Sequence, residues 1–217
     1  VWTWGYNGRG QLGDGTYTDR KTPVQATGIS GVIAIAGGRF QTIALKSDKT
    51  VWAWGVNDQG ELGDGTTTDR STPVQVSGIS GVIAIASGEW ATVALKSDGT
   101  VWTWGRNNKG QLGDGTTNDR TTPIQVSSLT GIIAIAGGAY HTIATRSDGT
   151  VWTWGWNETG QLGDGTHNDR KSPVQVSDFS GVITVAGGGY HTLALKSDGT
   201  VWAWGENGEG QLGDGTG

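Results

Sequence analysis

Three histidines, twenty Asp and Glu residues and the absence of cysteine set the limits of what this 217-residue chain could do chemically. His141 and His191 stand fifty residues apart, each followed by Thr and an apolar run. Two imidazoles on adjacent units could therefore face each other and hold a metal. A closed zinc site wants four ligands, however, and no partner cluster accompanies the pair. His-Thr before an apolar run reads better as a structural hydrogen bond, and His167 as a loop residue without company. The Gly-Asp-Gly-Thr loops (Gly13 to Thr16 and four equivalents) are rich in oxygen but lack the alternating carboxylates of a calcium loop. Turn chemistry explains them. Most other Asp and Ser residues also sit in repeated turns, whereas an active site should break the repeat. No glycine-rich phosphate motif precedes a helix. The expectation is a non-enzymatic chain with no metal and no cofactor.

The repeat itself is the dominant feature. Val-Trp-(Thr/Ala)-Trp-Gly begins at Val1, Val51, Val101, Val151 and Val201, a period of 50 without slippage. The chain reads as one array over 1–217: repeats 1–50, 51–100, 101–150 and 151–200, then a fragment, 201–217, that duplicates the opening. Such a period points to a propeller or solenoid, in which one unit cannot bury its apolar face alone. The 40 glycines and 12 tryptophans follow from it, about nine glycines and two paired indoles per copy. Net charge is −5, without the basic patch that nucleic-acid binding needs. No apolar run approaches the 18 residues of a membrane helix. No signal peptide is recognisable, and a start at Val1 suggests a processed or excised piece. No nucleic-acid or membrane partner is expected.

Each copy reads as four short strands. Val32–Ala36 is an apolar run of the length of a strand buried on both faces. Thr42–Lys46 follows, then a Ser-Asp-Gly-Thr hairpin turn such as Ser97 to Thr100. Lys49 replaces that glycine in the first copy, a locally unfavourable choice. The third strand, Val51–Trp54, places two indoles on one face, and Trp2 and Trp4 with their equivalents are expected to be buried between blades. The fourth begins at Pro73, as a proline at a strand start or on an edge allows. Four antiparallel strands per unit make a propeller blade. Asn7 and Asp14 suit turn hydrogen bonds, and Asp19 and Arg20 could link loops of neighbouring blades.

Trp4 to Thr16, Trp-Gly-x-Asn-x-x-Gly-Gln-Leu-Gly-Asp-Gly-Thr, resembles the signature of the regulator of chromosome condensation repeat family. Gly137 to Ala144, followed by Ser-Asp-Gly-Thr-Val-Trp, resembles it as well. The resemblance covers essentially the whole chain. It implies an all-β propeller, in that family seven-bladed and often closed by a blade built from both chain ends. It also implies an interaction face, with no reaction common to its members. Here the copies are unusually alike and number about four.

Three complete blades are expected from about Val32 to Ser177. A third and a fourth strand are left at the N-terminus, and a first, second and third at the C-terminus. The chain could close as a four-bladed ring, pair with a second copy into an eight-bladed ring, or be part of a longer propeller. Repeat one carries six Lys/Arg against three Asp, whereas 201–217 carries Glu206, Glu209 and Asp214. That opposition favours end-to-end contact, hence a homodimer closed through the chain ends.

Within so regular an array, the positions that differ between copies are the candidates for binding. One set lies between the first and second strands: Arg39, Phe40 and Gln41; Glu89 and Trp90; Tyr140 and His141; Tyr190 and His191. A second follows the third strand: Tyr6, Val56, Arg106, Trp156 and Glu206; a smaller set is Gly8 and Arg9, Asp58 and Gln59, Asn108 and Lys109, and Glu158 and Thr159. Strand order places the first two sets at the same rim, and their aromatic and arginine content matches a protein-binding hot spot. The leading expectation is a scaffold for protein–protein interaction or self-assembly. Carbohydrate binding on exposed aromatics is the alternative, as is an amplified or engineered array without a ligand.

Overall fold

The computed structural model describes residues 1–216 and is all-β, with seventeen strands. Three four-stranded antiparallel sheets form the middle of the chain. The first holds β3 (Val32–Gly37), β4 (Gln41–Lys46), β5 (Val51–Gly55) and β6 (Arg70–Gln75). The second holds β7 (Val82–Ser87), β8 (Ala91–Lys96), β9 (Val101–Gly105) and β10 (Arg120–Gln125). The third holds β11 (Ile132–Gly137), β12 (His141–Arg146), β13 (Val151–Gly155) and β14 (Arg170–Gln175). Flanking them are a two-stranded sheet, β1 (Trp2–Gly5) with β2 (Arg20–Gln25), and a three-stranded one, β15 (Val182–Gly187), β16 (His191–Lys196) and β17 (Val201–Gly205). The four-bladed closure expected as one outcome is not formed: β1–β2 and β15–β17 remain separate sheets, and the blades form an open arc.

The hairpin joining β4 to β5 shows how the sequence makes a blade. Asp48 accepts from the backbone N–H and the hydroxyl of Thr50 at 3.1 and 2.6 Å, and the next residue is left-handed. Gly99 takes that conformation freely at φ 76°, whereas Lys49 is forced into it at φ 64°. The fourth strand starts at Arg70, three residues before the expected Pro73. The proline is tolerated inside it because the strand lies at the sheet edge and its register to β5 shifts between Ala53 and Gly55. The first strand is not buried on both faces as expected. Ile33, Ile83, Ile133 and Ile183 are all exposed, since first strands of adjacent blades meet each other and no further strand lies beyond them.

The core lies between blades. Ile43, Leu45 and Val51 of one blade pack with Val82, Ala94 and Trp104 of the next. At each junction a carbonyl in the loop after the third strand accepts two bonds from the following blade. Gln11 accepts from Trp54 Nε1 and the Thr42 hydroxyl, both at 2.9 Å, and Glu61, Gln111 and Gln161 repeat the arrangement. Gly13 sits at φ +72°, and a Cβ there would lie 2.7 Å from Trp54 Nε1, so the indole requires the glycine. Trp54, Trp104 and Trp154 are fully buried as a result. Trp2 and Trp4, also expected inside, are 62% and 63% exposed, because β1 has no second strand or preceding blade against it.

Candidate functional site

The loop that carries the rim is rigid because its polar groups satisfy each other. Asn7 Oδ1 accepts from Leu12 N at 2.9 Å, and its amide donates to Asp14 Oδ1 and the Thr16 carbonyl. Asp19 accepts from Asn7 N at 2.8 Å. Burial alone pushes the Asp14 carboxyl up, but hydrogen bonds from Thr16 and Arg20 outweigh it and hold the group below the usual carboxylate range. Arg20 therefore stays within its own loop and does not reach a neighbouring blade. The Asp19 position does so in two copies: Asp69 pairs with Arg9 at 2.9 Å and Asp169 with Lys109 at 3.4 Å.

On this framework the two variable sets do meet at one rim. Tyr6 and Phe40 pack edge to face at 6.1 Å between centroids, and Phe40 and Trp90 likewise at 6.1 Å. Tyr140 meets Trp156 at 6.3 Å, and Trp156 meets Tyr190 at 5.0 Å. Cations bind the row together. Arg39 lies 5.4 Å from both Phe40 and Trp90; Arg106 lies 5.7 Å from Trp90 and 5.8 Å from Tyr140. Lys109 lies 5.7 Å from Trp156. A continuous aromatic and cationic row thus crosses the blades, with Tyr6 and Tyr190 exposed at its two ends.

Three of the expected residues are buried instead of displayed. Val56 is buried, forming part of a depression bordered by Tyr6, Arg9, Phe40, Asp58 and Trp90. Gln41 is also buried and bridges blades, its amide donating to the Glu89 carbonyl at 3.0 Å while its oxygen accepts from Phe40 N. His141 is buried too, with Nε2 3.0 Å from the Thr192 hydroxyl. That hydroxyl donates to the Gln161 carbonyl, so the imidazole is the donor and carries its proton on Nε2. Burial, then the nearby His191, lowers its pKa to about 3. His191 is half-buried at the open end, where the Glu206 backbone N–H donates to the Tyr190 carbonyl at 3.0 Å. Glu89 faces Arg39 at 3.5 Å. Among the described residues no group of three or more His, Asp or Glu side chains is placed to hold a metal.

Asn108 and Lys109 belong to the variable positions, whereas Glu61 was not singled out in the sequence. Asn108 and Lys109 join Tyr140, Trp156 and Tyr190 in lining a cavity of about 190 Å³. Glu61 is fully buried, and the signal was available: it stands where the other four copies have Gln.

Repeated four-stranded blades around an aromatic rim define a β-propeller of the regulator of chromosome condensation class. The model of the RCC1-like domain matches residues 1–217, and the chain belongs to that family. No curated protein sequence matches it. Among solved structures it is similar to human WBSCR16, with a TM-score of 0.88 and 24% identity over 100% of this chain and 59% of that one. It is also similar to Prp20p from Saccharomyces cerevisiae, with a TM-score of 0.85 and 29% identity over 98% of this chain and 54% of that one. Yeast RCC1 (Prp20) bound to Kap60 gives 0.85 and 26%, over 98% and 53%. The chain therefore spans between 53% and 59% of the length of these structures.

Proposed function

We propose that the chain is a non-catalytic propeller scaffold that binds another protein through the aromatic and cationic rim. The observation that carries this reading is the unbroken row from Tyr6 to Tyr190, assembled from the positions at which otherwise uniform copies differ. Aromatic and arginine side chains on a rigid support are the composition of interaction hot spots. The yeast relative has been described in complex with Kap60 and for its binding to Gsp1p and histones, which makes a protein partner the natural class. Carbohydrate stacking would need open ring faces, whereas Trp90 lies between two guanidinium groups and Trp156 beside an ammonium.

The test compares the wild type with the rim variant Tyr6→Ser, Arg39→Ser, Tyr190→Ser in affinity capture from cells of the source organism. A protein recovered stoichiometrically by the wild type and lost by the variant supports the reading. Equal recovery refutes the rim as the binding face, and binding confined to a glycan array favours the sugar alternative.

Self-association through the chain ends is a second reading with its own support. β15–β17 lacks a fourth strand, and β1–β2 lacks a first and second. If β1 of a second copy took the place of β17, its Trp4 would meet the Gln161 carbonyl that Trp204 now occupies at 3.0 Å. His191 would then stand to Thr42 of that copy as His141 stands to Thr192. Light scattering over a range of concentrations decides the matter; a monomer throughout overturns it.

A further inference from the structure

We propose that Arg106 is a clamp for a carboxylate, and that the rim binds a protein segment carrying Asp or Glu next to a large apolar side chain. The inference rests on the rim being the binding face and specifies what that face reads.

Four cations lie on the rim, and three are already neutralised. Arg9 bonds Asp58 and Asp69 at 2.6 and 2.9 Å, Arg39 faces Glu89 at 3.5 Å, and Lys109 contacts Glu158 and Asp169 at 3.0 and 3.4 Å. Arg106 has no carboxylate partner among the described residues. It is half-buried between Trp90 and Tyr140, which fix the side chain by contact with its cation at 5.7 and 5.8 Å. A guanidinium held in this way keeps its N–H fork for an incoming planar acid, and little rotamer freedom remains to be lost on binding.

Tyr140 is shared with the cavity formed by Asn108, Lys109, Trp156 and Tyr190. Its volume of about 190 Å³ falls below the roughly 300–1,000 Å³ of small-molecule pockets and suits one protruding side chain. The aromatic well and the free guanidinium thus share one tyrosine ring. An acidic residue and an apolar residue close together in a partner would engage both. The acid is a carboxylate and not a phosphate: five carboxylates (Asp58, Asp69, Glu89, Glu158 and Asp169) pair with only three cations, and the negative surplus left along the row repels a dianion more strongly than a single charge.

The test is a selection of displayed random linear peptides on the 217-residue protein, followed by titration of the recovered peptides against the wild type, Arg106→Gln and Arg106→Lys. Unchanged near-ultraviolet circular dichroism and melting establish that the variants are folded. Enrichment of Asp or Glu beside a large apolar residue is expected, with binding about tenfold or more weaker for Arg106→Gln. Arg106→Lys, which retains charge but loses the fork, should fall between them. Peptides without an acid, or equal binding to Arg106→Gln, overturn the clamp and leave the rim reading standing. Tighter binding when phosphoserine replaces the acidic residue overturns the choice of carboxylate. Recovery of no peptide overturns the clamp and counts against the rim as well.

Discussion

Replacing Glu61 by Gln is expected to stabilise the protein at neutral pH and to leave it unchanged in acid. Glu61 is fully buried at the junction of the first two complete blades. One carboxylate oxygen accepts from Gln59 N at 2.9 Å, and the other has no partner. Burial pushes the carboxyl above its ordinary range, Asp58 and Asp119 add to that, and backbone hydrogen bonds only partly oppose it. Because the folded pKa lies above the unfolded one, the fold holds the proton more tightly. The cost of the buried charge is therefore absent below the unfolded value near 4.5, grows as pH rises from there through the folded value, and is complete above it. An amide at this position would keep the bond to Gln59 N, as Gln111 and Gln161 keep theirs to Lys109 N and Thr159 N. What the substitution removes is an unpaired buried charge, worth about 1–2 kcal/mol. At this chain length that raises Tm by about 3–6 °C at pH 7. Calorimetry of both proteins at pH 7 and pH 4 is the assay. A gain equal at the two pH values, or a loss at pH 7, would refute the reasoning.

Three further changes test the junction and turn chemistry. Lys49→Gly relieves a left-handed lysine where Gly99, Gly149 and Gly199 stand in other copies, and should add about 0.5–1 kcal/mol by thermal melting. Gly63→Ala should cost about 3 kcal/mol or more, since its Cβ would lie 2.7 Å from Trp104 Nε1 at φ +67°; quenching of Trp104 fluorescence by acrylamide would report the opened junction. His141 is neutral in the fold, with a pKa lowered to about 3, so its contribution is complete above about 6.5 and lost as pH falls towards 3. His141→Gln, which installs the side chain that the first copy carries at Gln41, should therefore lose less stability than the wild type between pH 7 and pH 4 in chemical denaturation.

The blade was legible because its determinants are local. The fifty-residue period gave the unit, the Asp-Gly turn gave the second hairpin, and three blades from Val32 onward are present with the flanking strands as expected. The start of the fourth strand was hidden because Arg70–Thr72 is polar, as edge strands are, and Pro73 looked like a boundary. At the rim, variability picks out positions without distinguishing display from filling. Val56 and Gln41 vary between copies as Tyr6 and Arg39 do, yet they are buried. A small apolar side chain in the same depression as Trp90 and an amide folded back onto the Glu89 carbonyl depend on neighbours from another copy. No pattern within one repeat encodes those neighbours. The free guanidinium of Arg106 was hidden for the same reason: its state is defined by which carboxylates the adjacent blades do not bring to it.

The junction chemistry shows that the copies are less equivalent than their sequences suggest. Arg9 of the first copy pairs with Asp58 of the second, and Lys109 of the third with Glu158 of the fourth. Between the second and third copies the corresponding residues are Gln59 and Asn108, which carry no charge. Charge in this loop therefore pairs copies one with two and three with four, and Arg106, without a carboxylate partner among the described residues, belongs to the third copy. These ion pairs are partly exposed and contribute at most about 1 kcal/mol each, so they do not determine whether blades stack; the buried indoles and their shared carbonyl do that at every junction. What the alternation controls is where charge remains available. Selection on the rim can then change a ligand without touching the packing that keeps the array together, and a nearly uniform propeller can still carry one distinct site.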